Sequence, residues 1–142
     1  MDATSDLTKR ILTKFGTITV VGLSSDPVKS AHSVPAAMQA YGWRVIPVNP
    51  HADTLLGEPV YRTLADVPEQ VDFVNVFRPS ADAAEIARQA VAVGAKALWL
   101  QLGIASEEAR AIAESHGLIY VEDRCIAVER ARHALRSPQP AA

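Results

Sequence analysis

The chain has 142 residues, 49% of them hydrophobic and 21% charged, which is the make-up of one globular domain and excludes disorder, collagen and coiled coil. Its 14 Lys and Arg against 16 Asp and Glu give a formal charge of −2, so no overall field draws it to nucleic acid or another polyanion. The single cysteine, Cys125, cannot close an internal disulfide, no run reaches the ~20 apolar residues of a membrane span, and no signal-peptide pattern opens the chain, so a cytoplasmic protein is expected.

Taken in chain order, the first predicted element is a helix over about 4–14, within an N-terminal segment 1–17. A β-branched run at 18–22 ends in Gly22 and reads as a buried parallel strand. Val34, Ala37, Met38 and Tyr41 then fall at helical spacing, which predicts a helix over 33–41 closed by Gly42. Residues 43–48 form the second strand, and Pro47, which lacks a ladder donor, is expected to interrupt its pairing. From Asn49 to Gln70 there is little regular pattern beyond one helical turn at 63–68. Strands at 71–77, 97–102 and 118–122 alternate with helices at 81–93 and 106–116, the latter opened by Ser106 with Glu107 and Glu108 behind it. A last helix covers 127–135, and the tail 137–142 is expected to be disordered. Alternation at this spacing predicts a doubly wound, Rossmann-like α/β domain over 18–136, with about five parallel strands and helices on both faces.

Ligands of such sheets bind outside the carboxyl ends of the strands. The residues just past the first strand are Gly22, Leu23, Ser24, Ser25, Asp26, Pro27, Val28, Lys29 and Ser30. Glycine permits a sharp exit, the serines offer hydroxyls beside free amides, Lys29 adds a cation, and the following helix N-terminus favours an anion. The same segment also reads as a plain strand-to-helix loop whose serines cap the helix. It carries neither the three-glycine dinucleotide fingerprint nor a P-loop.

After the second strand comes Asn49 with Pro50, where a nicotinamide dinucleotide site usually has an acid for the ribose hydroxyls. That argues against NAD and fits a ligand with an extra ribose phosphate, such as NADP or coenzyme A, met by Arg78, His51 or Lys29. Phe77, at the end of the third strand, is placed either to stack on an adenine or to pack.

Catalytic signals are poor. A nucleophile elbow is missing, and His32, His51, His116 and His133 show no paired metal spacing with one another or with the lone cysteine. His116 reads as a helix-terminal residue, and His133 as part of a solvated basic face with Arg130, Arg132 and Arg136. Trp43 and Trp99 read as core. Cys125, beside Arg124, is either a reactive thiol or a small residue packed under the last helix.

Gly22-Leu23-Ser24 with Lys29-Ser30, Val45-Ile46-Pro47-Val48-Asn49-Pro50, Val74-Asn75-Val76-Phe77-Arg78, Trp99-Leu100-Gln101-Leu102-Gly103 and Glu122-Asp123-Arg124-Cys125 resemble, in that order, the small stand-alone coenzyme A-binding proteins. That family is similar to the nucleotide-binding domain of the succinyl-coenzyme A synthetase alpha subunit. The resemblance runs from about Ile18 to Leu135 and implies a domain that holds coenzyme A or an acyl-coenzyme A across the strand ends and has no established reaction; with no paired metal ligands, no metal and no catalysis are expected. On it, Gly22, Leu23, Ser24, Lys29 and Ser30 are expected to hold the diphosphate. Asn49, Pro50, Phe77 and Arg78 are expected to border the adenosine, and Gln101, Leu102 and Gly103 the pantetheine arm. Where the family often has two basic residues after the phenylalanine, this chain has Arg78 and then Pro79. Asp26, an acid in the anion loop, is expected to point away. The alternative reading is an NADP-type enzyme or a ligase-like subunit acting with a partner; a sensor of coenzyme A state is a third.

Overall fold

The computed structural model describes residues 3–138. Five parallel strands form the main sheet: β1 (Thr17–Val21), β2 (Arg44–Val48), β5 (Phe73–Val76), β6 (Ala97–Leu100) and β7 (Ile119–Val121), in the order β2-β1-β5-β6-β7. A two-stranded hairpin, β3 (Thr54–Leu55) with β4 (Glu58–Pro59), lies between β2 and β5, and a 3-10 turn follows at Leu64–Asp66. The helices are α1 (Ala3–Lys14), α2 (Ser30–Ala40), α3 (Ser80–Ala92), α4 (Glu107–Ser115) and α5 (Ile126–Arg132).

Because side chains alternate across a strand, each strand feeds two cores. Ile18, Val20, Val45, Phe73 and Trp99 pack with Ile11 and Leu12 of α1, Met38 of α2 and Ile126 of α5. Val74, Val76, Leu98 and Leu100 pack on the other side with Ala83, Ile86 and Ala87 of α3 and Ala109 and Ala113 of α4. Both faces are covered, as a doubly wound Rossmann-like domain requires.

The expectation for Pro47 is overturned. The β1–β2 register runs straight through it, Val20 opposite Pro47. In an edge strand its missing donor faces outward, and its carbonyl accepts the Tyr61 amide at 3.1 Å from the loop that covers the edge. Helix α2 starts at Ser30, three residues before the start predicted from apolar spacing, and so carries Pro35, a residue that suits a first turn, in its second. Pro35 leaves the Ala31 carbonyl without its helical donor, and the Ser24 amide takes it at 3.0 Å.

The C-terminal basic stretch is solvated at Arg132 and Arg136, but Arg130 and His133 are partly buried and make contacts of their own. Arg130 stacks on Tyr41 at 3.5 Å, Arg132 pairs with the buried Glu129 at 3.0 Å, and His133 Nε2 lies 3.2 Å from Thr8 Oγ1. The Arg130 and His133 contacts fasten the end of α5 to the end of α2 and to α1. The Ser137 amide donates to Tyr41 O at 3.1 Å, and tail residues 139–142 lie outside the described residues.

Candidate functional site

From β1 the chain crosses to β2 on one side, and β5 lies on the other, so strand order reverses between β1 and β5. Gly22 leaves β1 there with φ +92°, and its amide donates to Val48 O at 2.9 Å. A Cβ on Gly22 would lie 2.7 Å from the Phe77 carbonyl oxygen and 3.1 Å from Arg78 Cδ. The loops after β1 and β5 therefore approach this closely only because the position has no side chain.

The loop after Gly22 is held by its own polar groups. Ser24 Oγ accepts the Asp26 amide at 3.0 Å, Asp26 Oδ1 accepts the Val28 amide at 3.0 Å, and Asp26 O accepts the Lys29 amide at 3.1 Å. His32 Nδ1 lies 2.7 Å from Ser24 O. Asp26 is thus turned into the loop's own backbone. No side chain caps α2, whose N-cap is Lys29 and whose first turn carries no acid, which leaves a helix dipole facing the strand ends.

Two cavities lie along this edge. One, of about 380 Å³, is bounded by Gly22, Asn49, Pro50, Arg62, Arg78, Asp82 and Glu85. The other, of about 420 Å³, is bounded by Ser30, Ala31, Val34, Phe77, Arg78, Gln101, Leu102, Ile104 and Cys125. Arg78 borders both. Gly22, Ser30, Asn49, Pro50, Phe77, Arg78, Gln101 and Leu102 are thereby brought to one edge, whereas Leu23, Ser24, Lys29 and Gly103 border neither cavity. Leu23 is fully buried in the core, and the Gly103 amide donates to Asp123 Oδ1 at 2.7 Å.

Several of the polar groups are already committed. Asn49 Nδ2 donates to Leu23 O at 2.8 Å, while its Oδ1 accepts the amides of His51 and Ala52 at 2.7 and 2.9 Å. Asn49 thus ties the loops after β1 and β2 together. Gln101 is buried, and its Oε1 accepts the Ile126 amide at 2.9 Å, satisfying the first turn of α5. Arg78 Nη2 meets Asp82 Oδ2 at 3.0 Å, both side chains about half exposed. Cys125, half-buried, is the N-cap of α5 and borders both the second cavity and a further one of about 330 Å³. The Trp99 indole fixes the loop before it, donating to Arg124 O at 2.8 Å.

Sequence reasoning missed Arg62 and Asp82. Arg62 Nη1 donates to Asn49 O at 3.1 Å and to Ala52 O at 2.5 Å, and Nη2 meets Asp53 Oδ1 at 2.8 Å. It supplies a second guanidinium beside Arg78, from a different loop. The only signal was a basic residue in the long irregular stretch after β2, at the functional end of the sheet.

A family model described as a CoA binding domain matches residues 16–131, and the chain belongs to that family. It is 37% identical over 123 residues to YneT of Bacillus subtilis, an uncharacterized protein, covering 87% of this chain and 91% of that one. The crystal structure of Prb, a PH1109 protein redesigned for binding, superposes with a TM-score of 0.88 at 30% identity over 99% of this chain and 96% of that one. A dinucleotide forming acetyl-coenzyme A synthetase 1 of Ca. Korarchaeum cryptofilum, in its apo form, matches with a TM-score of 0.68 at 26% identity. That match covers 81% of this chain but 27% of the synthetase chain, so the likeness is to one part of a larger enzyme.

Proposed function

We propose that this protein binds coenzyme A, free or acylated, across the carboxyl edge of its sheet and performs no chemistry on it. The observation that carries the reading is the pair of cavities joined at Arg78, with the uncapped start of α2 at the wall of one and Gly22 at the wall of the other. Membership of a CoA binding domain family supports the choice of ligand. In this reading the diphosphate lies against the amides of Ser30 and Ala31, where the helix dipole favours negative charge. Adenosine lies beside Asn49, Pro50, Arg62 and Arg78, and the pantetheine arm runs past Phe77 and Leu102 toward Cys125.

Binding without turnover is supported by the state of the acids at this edge. Asp123 accepts an amide, Glu122 accepts the Tyr120 hydroxyl at 2.7 Å, and Asp82 faces Arg78, so each has a structural partner rather than a poised position as a general base. Among the described residues, no helix is long and apolar enough to cross a membrane.

Isothermal titration with coenzyme A, dephospho-coenzyme A, NAD and NADP tests the reading. Coenzyme A is expected to bind and NAD not to; equal affinity for NAD, or no heat with coenzyme A, overturns it.

A further inference from the structure

Arg78 is poised between ligand cavities, yet its guanidinium already has an anion. Asp82, in the first turn of α3, places Oδ2 3.0 Å from Arg78 Nη2 and itself borders the Gly22–Asn49 cavity. The neighbouring acid on that wall, Glu85, is held elsewhere, by Arg88 at 3.2 Å and by Gln89 at 3.3 Å. Among the described residues Asp82 makes no ion pair except with Arg78. The pair is half exposed and joined through one nitrogen and one oxygen, the weak and replaceable kind. The stem of Arg78 is less free than its head, because Cδ packs against Gly22, 3.1 Å from where a Cβ there would lie.

A phosphate entering this cavity meets Arg78 with Asp82 attached. If it shares the guanidinium, two anions stand together in a half-exposed site; if it takes the guanidinium alone, Asp82 loses its partner. Either way Asp82 opposes the incoming charge. A phosphomonoester, with close to two negative charges and three acceptor oxygens, can displace a single carboxylate from a guanidinium. A hydroxyl in the same place cannot.

We propose that Asp82 is an internal competitor for the phosphate subsite: its carboxylate occupies Arg78 in the empty protein and yields it only to a dianionic phosphomonoester on the ligand. This rests on the coenzyme A reading and deepens it, because it assigns the ribose phosphate to Arg78 and makes the acid beside it a brake on the affinity that phosphate can gain. Asp82 acts here as a positioning residue through Arg78, setting how strongly the phosphate is held rather than whether it is preferred.

The test is titration of wild type, Asp82→Asn, Arg78→Ala and the double variant with two matched pairs of probes. The pairs are coenzyme A with dephospho-coenzyme A, and adenosine 3′,5′-bisphosphate with the 5′-methyl phosphodiester of adenosine, which has no phosphomonoester. Asp82→Asn should tighten the member of each pair that carries the extra phosphate roughly two- to fivefold, the range a half-exposed charge pair commands. The member lacking it should change little, and the gain should vanish in the Arg78→Ala background. An Asp82→Asn variant that binds coenzyme A equally or more weakly overturns the proposal, as does a gain of the same size for both members of a pair. Failure of coenzyme A and the bisphosphate to bind wild type at all is a different result: it removes the coenzyme A reading and this inference with it.

Discussion

Gln101 illustrates how a side chain at a ligand edge can serve the scaffold beneath it. Its Oε1 accepts the amide of Ile126 at 2.9 Å and lies 3.4 Å from Asn75 Nδ2, and both Gln101 and Asn75 are buried. Removing the oxygen leaves the buried Ile126 amide without an acceptor, while Asn75 Nδ2 keeps Trp99 O at 3.3 Å; an orphaned buried donor costs more than the bond itself contributes. Gln101→Ala is therefore expected to lower unfolding stability by about 1–3 kcal/mol. Urea denaturation measures this, and a variant as stable as wild type would show that the Gln101 oxygen is replaceable by solvent. Asn49 belongs to the same class: three short hydrogen bonds hold two loops in place, so the residue shapes the cavity between Gly22 and Pro50 by fixing its walls.

At the scale of elements, helix α5 is the instructive case. Its first turn is fixed by Gln101, and its N-cap, Cys125, opens onto two cavities. If the pantetheine arm runs along Phe77 and Leu102 to this point, bound ligand covers the thiol. Iodoacetamide should alkylate Cys125 in the empty protein, and saturating coenzyme A should slow that reaction several-fold, followed by intact mass. Equal rates with and without ligand would send the arm elsewhere. The five strands and five helices were legible because buried parallel strands are short β-branched runs and the helices keep a 3.6-residue period. What periodicity does not encode was missed. The start of α2 depended on Ser24 reaching the carbonyl that Pro35 leaves free, and continuous pairing at Pro47 depended on β2 being an edge strand. In the site, glycine and strand-end position marked Gly22, Phe77 and Arg78. Arg62 and Asp82 come to the same cavity through the fold-back of residues 59–63 on β2 and through a helix turn, contacts no local pattern announces.

The molecule as a whole is a sheet covered on both faces, so its stability is the joint property of two cores and the polar contacts that join them. Tyr120 of β7 makes one such contact on the α4 side. Its hydroxyl donates to Glu122 Oε1 at 2.7 Å and lies 3.2 Å from Ser106 O, and its ring lies under Arg110 at 4.9 Å. Burial, reinforced by the hydrogen bond to the Glu122 carboxylate, raises the phenol well above the ordinary tyrosine value. A group whose pKa is raised on folding contributes stability that is complete below its unfolded pKa, about 10 for tyrosine, and is lost as pH climbs beyond it. Above that value the unfolded chain gives up the proton and the folded one keeps it, so this residue alone should cost about 1.4 kcal/mol of stability per pH unit. Tyr120→Phe should be less stable at neutral pH by roughly 1 kcal/mol for the lost hydrogen bonds, yet decline less steeply in alkali. The two unfolding curves, taken by denaturant titration from neutral pH to about one unit above the free phenol value, should therefore converge. Parallel declines would mean that the Tyr120 phenol ionises as readily in the folded protein as in the unfolded chain.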